Sequence, residues 1–137
     1  MSGAGPGLPP GPRRQARERA LSLLYEAEAK DVTPAEVLAQ QVLVPEAFVT
    51  DVVAGVGERL AEIDGLLGAL AVGWPVERMP AIDRNLLRLA VYELLAHPDT
   101  PAAVVLSEAV ALAATYSTED SSRFVNGVLA EAARRLR

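Results

Sequence analysis

The sequence has no cysteine, one histidine and only six aromatic residues among its 137. The absence of cysteine excludes disulfides and thiolate metal sites. His97 has no second histidine or cysteine with which it could share a metal, and it stands beside Pro98 where we expect a helix to end. We therefore interpret His97 as a surface side chain that compensates the helix dipole, and we predict neither a metal nor another cofactor.

Long hydrophobic runs are also missing. No apolar run approaches the roughly 18 residues of a membrane-spanning helix, and the N-terminus lacks the apolar segment of a signal peptide. We expect a soluble, cytoplasmic protein with no membrane partner.

The sequence lacks the common catalytic motifs. It has no Gly-rich phosphate loop after a strand, no Gly-x-Ser-x-Gly motif and no paired histidines. Ser107-Glu108 and Ser121-Ser122 have no histidine near enough in the pattern to form a catalytic triad. We predict that the chain is not an enzyme.

Half of the residues are apolar, and with so few aromatics the core must consist of Leu, Val and Ala, which suits closely packed helices. The widest apolar stripe runs through residues 82–95 at helical spacing, so we predict a helix there at the centre of an all-α bundle. Asp83, Arg84, Asn85 and Arg88 give this helix a polar N-terminal end.

Start and stop signals divide the rest of residues 13–137 into further helices. Thr33 begins a capping box for a short helix that we expect to reach about Val42. We expect further helices after Val44-Pro45, over about 58–70, after Thr100 as N-cap and after Ser117-Thr118. We expect a bend or break near Gly55 and Gly57, and core positions for Trp74 and Tyr116. Gly127 within the last helix suggests that a neighbouring helix approaches closely. Residues 1–12 are expected to form a disordered tail.

Charge is distributed unevenly. The net charge is −5, but residues 1–19 carry +3, which leaves −8 for the remainder. The first helix, from Pro12 or Arg13 to Ala29, has a second stripe of Arg14, Arg17, Leu21 and Tyr25 beside its apolar face. Arginines at a helix N-terminus oppose the dipole, so helix stability does not explain them. Two interpretations stay open at this point: a solvated face, or a patch that contacts phosphates.

Three segments together resemble the NusB family of transcription antitermination factors. They are residues 13–25 (RRQARERALSLLY), residues 82–94 (IDRNLLRLAVYEL) and residues 119–129 (EDSSRFVNGVL), of which Phe124-Val125-Asn126-Gly127-Val128-Leu129 is the most specific. The resemblance spans about residues 13–136. It implies a seven-helix bundle of two helical subdomains that binds boxA RNA of ribosomal RNA operons together with the ribosomal protein NusE. It also implies assembly with RNA polymerase and other Nus factors.

The resemblance also implies roles for individual residues. The positions that match the family's RNA-binding region are Arg13, Arg14, Arg17, Asp120, Ser121 and Phe124. The positions that match its NusE-facing residues are Tyr25, Glu77 and Asp83. Gln15 stands where some relatives have a further arginine, so we expect RNA affinity to depend on the partner.

Two alternatives remain. One is a stand-alone relative of the RNA-binding domain of ribosomal RNA cytosine methyltransferases, although we expect no cofactor-binding domain after Arg137. The other is a homo-oligomeric helical protein, for example a homodimer, whose RNA face is masked by self-association.

Overall fold

The computed structural model describes residues 12–137, which form seven α-helices, one short 3-10 helix and no strand. The α-helices are α1 (Pro12–Lys30), α2 (Pro34–Ala39), α3 (Ala47–Glu58), α4 (Leu60–Leu70), α5 (Ala81–Ala96), α6 (Ala102–Tyr116) and α7 (Glu119–Leu136). The 3-10 helix, Val76–Arg78, lies between α4 and α5. The predicted all-α class is confirmed, whereas the predicted tail lies outside the described residues apart from Pro12, where α1 begins.

Helix α5 is the centre of the bundle, as the apolar stripe over residues 82–95 predicts. It contacts α1, α3, α4, α6 and α7. Helices α1, α2 and α3 pack on one another, α6 packs on α7, and α5 joins the two groups. Its apolar side chains are almost completely buried because neighbours cover the helix on several sides: Leu86, Leu87, Leu89, Ala90, Val91 and Leu94.

Local hydrogen bonds explain several helix boundaries. The Thr33 hydroxyl accepts from the Glu36 amide at 3.0 Å, and the Glu36 carboxylate accepts from the Thr33 amide at 2.8 Å, which completes the predicted capping box. At α7 the Thr118 hydroxyl caps the helix by accepting from the Ser121 amide at 3.0 Å. Helix α2 ends at Ala39, earlier than predicted, and the break expected near two glycines falls at Arg59, between α3 and α4.

Three expectations differ from the structure. Thr100 does not cap α6, because Pro101 takes the N-cap position in an extended conformation and no side chain caps the helix. Tyr116 is exposed and donates to Glu18 instead of packing in the core. Gly127 meets no neighbouring helix, since a Cβ built there has no atom within 4 Å. Trp74 packs against the core, as expected, and is partly buried there.

Close approach occurs instead at Gly55, where a Cβ would lie 2.2 Å from the ring of Tyr92. A glycine on α3 therefore allows the aromatic ring of α5 to lie against the helix backbone.

Arg137, which follows α7, forms hydrogen bonds with the C-terminal end of α5 and the loop after it. The Arg137 guanidinium donates to the carbonyl oxygens of Leu94 at 3.1 Å, His97 at 2.8 Å and Thr100 at 2.7 Å. Carbonyls at a helix C-terminus have no partner within the helix, so Arg137 satisfies groups that the end of α5 leaves open.

Candidate nucleic-acid interface

Arg14 lies near the start of α1 and forms a two-pronged ion pair with Glu108 of α6. Its Nε and Nη2 atoms donate to the two carboxylate oxygens at 2.9 and 2.6 Å. The arginine side chain is 36% exposed and the glutamate 17%. Hydrogen bonding to Arg14 holds the pKa of Glu108 below its usual value, with smaller contributions from the charges of Arg14 and Arg17. The carboxylate is therefore kept charged where it can hold a guanidinium.

Arg17, one turn further along α1, is buried. Its Nε and Nη2 atoms donate to the Glu93 carboxylate of α5 at 2.8 and 2.7 Å, and its Nη1 atom lies 3.9 Å from Glu108. The side chains of Arg17 and Glu93 are only 4% and 1% exposed. Arg17 therefore does not belong to a solvated face, and its guanidinium neutralises a buried carboxylate.

Arg13, at the solvent-exposed start of α1, has a different environment from the other two arginines. Its guanidinium carbon lies 4.2 Å from the centroid of the Phe48 ring of α3. No carboxylate within residues 12–137 forms an ion pair with it. Arg13 thus contributes a cation that is not neutralised by a neighbouring acid.

The start of α7 holds the second predicted group of RNA contacts. Ser121 is buried, and its hydroxyl donates to Asp83 at 2.8 Å. Asp120 is exposed and pairs with Arg123 of its own helix, not with an arginine of α1. The ring of Phe124 is partly buried and packs on Trp74 with centroids 4.5 Å apart. Asp120 and Phe124 thus reach the surface, whereas Ser121 contributes to the interior.

Asp83, expected at the partner surface, is fully buried in the first turn of α5. Its carboxylate accepts from the hydroxyls of Ser117 and Ser121, each at 2.8 Å. The first-turn position satisfies the helix dipole, as the sequence suggests, but the side chain points into the junction between α5, α6 and α7. Asp83 joins these helices and presents no surface to a partner.

The structure does not bring the predicted RNA contacts into one cluster. Arg17 of α1 lies beside Glu93, while the start of α7 lies beside Asp83, at the other end of α5. At 1.5 Å per residue, these two positions are about 15 Å apart along the helix axis. A ligand that touched both groups would have to be extended.

Tyr25 and Glu77 are exposed, as a partner-facing role requires. Tyr25 is 44% exposed on α1. Glu77 lines an open groove of about 660 Å³ together with acids and arginines of α1, α4 and α5: Glu28, Asp64, Arg84 and Arg88. The exposed glycines Gly65 and Gly68 also line it, so a ligand could approach the α4 backbone closely.

Ion pairs organise this groove. Arg84 donates to both oxygens of Glu28 and to the Met79 carbonyl at 2.6 Å, and Arg88 donates to Asp64 at 2.8 Å through two nitrogens. Hydrogen bonding to Arg84 lowers the pKa of Glu28 from its usual value. Because both arginines already hold carboxylates, Glu77 is the acid of the groove without an ion pair among the described residues.

His97 also differs from the prediction of a simple dipole-compensating side chain. Its Nε2 atom lies 2.5 Å from Asp51 of α3, which also accepts from the Tyr92 hydroxyl at 2.9 Å. Burial and the hydrogen bond to Asp51 raise the pKa of Tyr92 to about 12. This cluster joins the C-terminal end of α5 to α3.

Several of these residues could not be identified from the sequence. Glu93 and Glu108 stand far from the arginines in the chain, separated from Arg17 and Arg14 by 76 and 94 positions. Phe48 lies in an apolar helical pattern that predicts only core packing. In residues 12–137 no group of three or more His, Asp or Glu side chains could hold a metal ion. No described helix combines the length and the apolar character needed to cross a membrane.

Comparison with known proteins identifies the fold family. The model of the NusB family matches residues 14–134. The transcription antitermination protein NusB of Acidothermus cellulolyticus is 50% identical over 123 residues, which cover 86% of this chain and 84% of the relative. The structure of T. maritima NusB superposes with a TM-score of 0.81 and 32% identity, over 90% of this chain and 92% of that chain.

A second solved structure contains the antitermination factors NusB and NusE in complex with double-stranded RNA. It is similar to this chain with a TM-score of 0.77 and 25% identity, over 90% of this chain and 96% of that chain. The resemblance inferred from the three sequence segments is confirmed by these matches over nearly the whole described range. The chain belongs to the NusB family.

Proposed function

We propose that this chain is a transcription antitermination factor that binds boxA RNA as a single strand, in a complex with the ribosomal protein NusE. The observation that carries the proposal is the likeness over 90% of the chain to a structure of NusB with NusE and double-stranded RNA. The single-stranded form of the ligand rests on the chemistry of the surface described below. In this role the protein acts by binding in the cytoplasm, with RNA polymerase and other Nus factors as further partners, and catalyses no reaction.

The RNA surface that we propose begins at the start of α1. Arg13 is not neutralised by an acid, and Arg14 is partly exposed, so both can reach phosphates on a body that is otherwise acidic. A phosphate that binds through Nε and Nη2 of Arg14 has to displace Glu108 from this edge of the guanidinium. Arg17, 3.9 Å away, remains to compensate that carboxylate. Competition with Glu108 fits RNA binding that is weak without the partner.

The same surface extends to the start of α7. Phe124 offers a partly exposed ring on which an unpaired base can stack. Asp120 and Arg123 place charges of both signs beside it, so Asp120 limits how many phosphates can approach. Arg17 and Ser121 contribute by holding α1 and α7 in position, because both are buried. A single-stranded RNA suits two groups that lie toward opposite ends of α5, because it can run extended along the bundle.

For the partner surface we propose Tyr25, Glu77 and the open groove between α1, α4 and α5, in which Glu77 is the acid without an ion pair among the described residues. An exposed tyrosine and an exposed acid both fit a basic protein, because aromatic side chains bind through contact area and acids through charge complementarity. Asp83 supports this surface only through the packing of α5.

The test is fluorescence anisotropy of labelled single-stranded boxA RNA, titrated with the chain alone and with the chain plus NusE. We expect RNA affinity to rise about tenfold or more when NusE is present, as for other coupled sites. A scrambled RNA of the same length should bind more weakly. Equal binding of both RNAs with and without NusE would contradict the proposal.

The partner surface has its own test. Glu77→Lys should weaken binding of NusE in calorimetry, while the control Asp99→Lys changes an exposed acid at the opposite end of α5 and should have no effect. Equal effects of the two variants would place NusE elsewhere.

Self-association is a second candidate because one loop exposes three consecutive apolar residues, Val42, Leu43 and Val44. Sedimentation velocity with and without RNA distinguishes the candidates. A dimer that dissociates when RNA is added would favour the masked-face alternative over simple binding by a monomer.

A further inference from the structure

Phe48 is the aromatic ring nearest to the start of α1. The guanidinium carbons of Arg13 and Arg17 lie 4.2 and 5.5 Å from its centroid. Both distances are within the range in which a cation is attracted to an aromatic face. Arg17 is buried against Glu93, whereas Arg13 is exposed, so the solvent-accessible part of this stack is Arg13.

The orientation of Phe48 is fixed by α3 and α5. Its ring centroid lies 5.8 Å from that of His97, and His97 is held by Asp51 at 2.5 Å. Tyr92 donates to the same Asp51 and meets His97 edge to face at 5.5 Å. These contacts restrict the Phe48 ring beneath Arg13, because the ring packs on His97 and His97 is itself held by Asp51.

The guanidinium of Arg13 is more available to a ligand than those of Arg14 and Arg17. In Arg14 and Arg17 a carboxylate occupies the Nε and Nη2 edge of the guanidinium, at 2.6 to 2.9 Å. A guanidinium stacked on a ring keeps its N–H donors in its own plane, where they remain available to an anion. Its second face remains available to another flat group.

We propose that Phe48 and Arg13 form a nucleotide-binding element, in which Phe48 holds the Arg13 guanidinium so that an unpaired RNA base stacks on it and the neighbouring phosphate accepts from its rim. This inference rests on the proposed RNA-binding function and extends the RNA surface from α1 onto α3. Phe48 is a positioning residue, because it acts through Arg13.

The chemistry favours single-stranded RNA as the ligand. Unpaired bases stack on arginine planes as well as on aromatic rings, and the phosphate beside them meets a guanidinium that has no carboxylate partner among residues 12–137. In a duplex the bases are stacked on one another, so only the phosphate contact remains. Removal of Phe48 should therefore weaken binding of a single strand more than binding of a duplex.

Two substitutions of Phe48 separate positioning from simple core packing. Phe48→Leu keeps an apolar side chain but removes the ring, so we expect RNA affinity to fall about three- to tenfold. Phe48→Trp keeps a ring on which a cation can stack and should retain RNA affinity within about twofold. A core role predicts the opposite order, because leucine fits a core site more easily than the larger tryptophan. Thermal unfolding of each variant shows that it is folded.

The decisive measurement is a double-mutant cycle on affinity for single-stranded boxA RNA, with duplex RNA of the same sequence as the second probe. In an Arg13→Ala background, Phe48→Leu should have no further effect on single-strand affinity. Loss with leucine, retention with tryptophan and little change on the duplex would support the inference. Unchanged single-strand affinity of Phe48→Leu, or an equal loss on the duplex, would overturn it.

The same series distinguishes the inference from the function on which it rests. If the unmodified chain binds neither RNA, with or without NusE, the proposed function and the inference both fail. If Arg13→Ala weakens binding while Phe48→Leu does not, only the inference fails.

Discussion

Replacing Arg17 by methionine is expected to lower the free energy of unfolding by about 3–5 kcal/mol, the usual cost of removing one member of a buried ion pair. The guanidinium donates to Glu93 at 2.8 and 2.7 Å, and both side chains are almost without solvent contact. Methionine fills a similar volume, so the cost comes from a carboxylate left buried without a cation and not from a cavity.

Removing Arg17 and removing Glu93 should lower the free energy of unfolding by different amounts. Arg17→Met leaves two carboxylates, Glu93 and Glu108, close to the same vacated position. Glu93→Gln leaves Arg17 with Glu108 at 3.9 Å, so the remaining charge is still partly compensated. We therefore expect Glu93→Gln to destabilise the protein by roughly half as much or less. The double variant Arg17→Met/Glu93→Leu removes both charges and should be close to the unmodified protein in stability.

Urea unfolding followed by circular dichroism measures these differences, with the RNA titration repeated on every variant that is folded. If Arg17→Met lowers the free energy of unfolding by less than about 1 kcal/mol, the reasoning is refuted, because a loss that small is typical of a solvent-exposed ion pair. A double variant that is stable but has lost both RNA affinity and salt dependence would show that Arg17 contacts phosphate directly.

Three further predictions follow from individual contacts. Asp83→Asn should lower the melting temperature, because weaker hydrogen bonds to the two serines cost about 1–3 kcal/mol of unfolding free energy. The affinity of the folded protein for NusE should stay unchanged. Loss of NusE affinity with an unchanged melting temperature would contradict the burial of this residue. Gly127→Ala should raise stability by about 0.5–1 kcal/mol in urea unfolding because the site is open and helical, and a loss of stability would indicate an unseen neighbour. Because the pKa of Glu28 is lowered in the folded state, its contribution to stability is present above its ordinary pKa and is lost as the pH falls through the lower folded value. Glu28→Gln should therefore flatten the acid side of a stability-against-pH curve, and an unchanged curve would exclude this origin.

The helices were predictable because their signals are local. The apolar stripe of residues 82–95 predicts the central helix within one residue at either end, and Thr33 with Glu36 predicts a capping box that forms. In both cases the residues that decide the structure are neighbours in the sequence. Gly127 shows the limit of such an argument, since a glycine within a helix suggests a close contact but does not require one.

The candidate site was predictable in part. The basic start of α1 is visible from charge alone, yet the sequence does not show that Glu93 and Glu108 lie opposite Arg17 and Arg14, because helix packing brings them together. Asp83 is a second example. A first-turn acid is expected on either an exposed or a buried face of a helix, and only the positions of α6 and α7 decide between them.

The salt dependence of RNA binding tests the claim that the arginines at the start of α1 form the RNA surface. Arg13→Ala/Arg14→Ala is compared with Arg134→Ala/Arg135→Ala, which removes the same charge from the exposed end of α7. Each phosphate contact contributes about −0.7 to the slope of log affinity against log salt for a single strand, so the α1 variant should bind more weakly with a slope flatter by about 1 to 1.5. The α7 variant should keep both values. Unmodified affinity and slope in the α1 variant would contradict an RNA surface at this end of the bundle.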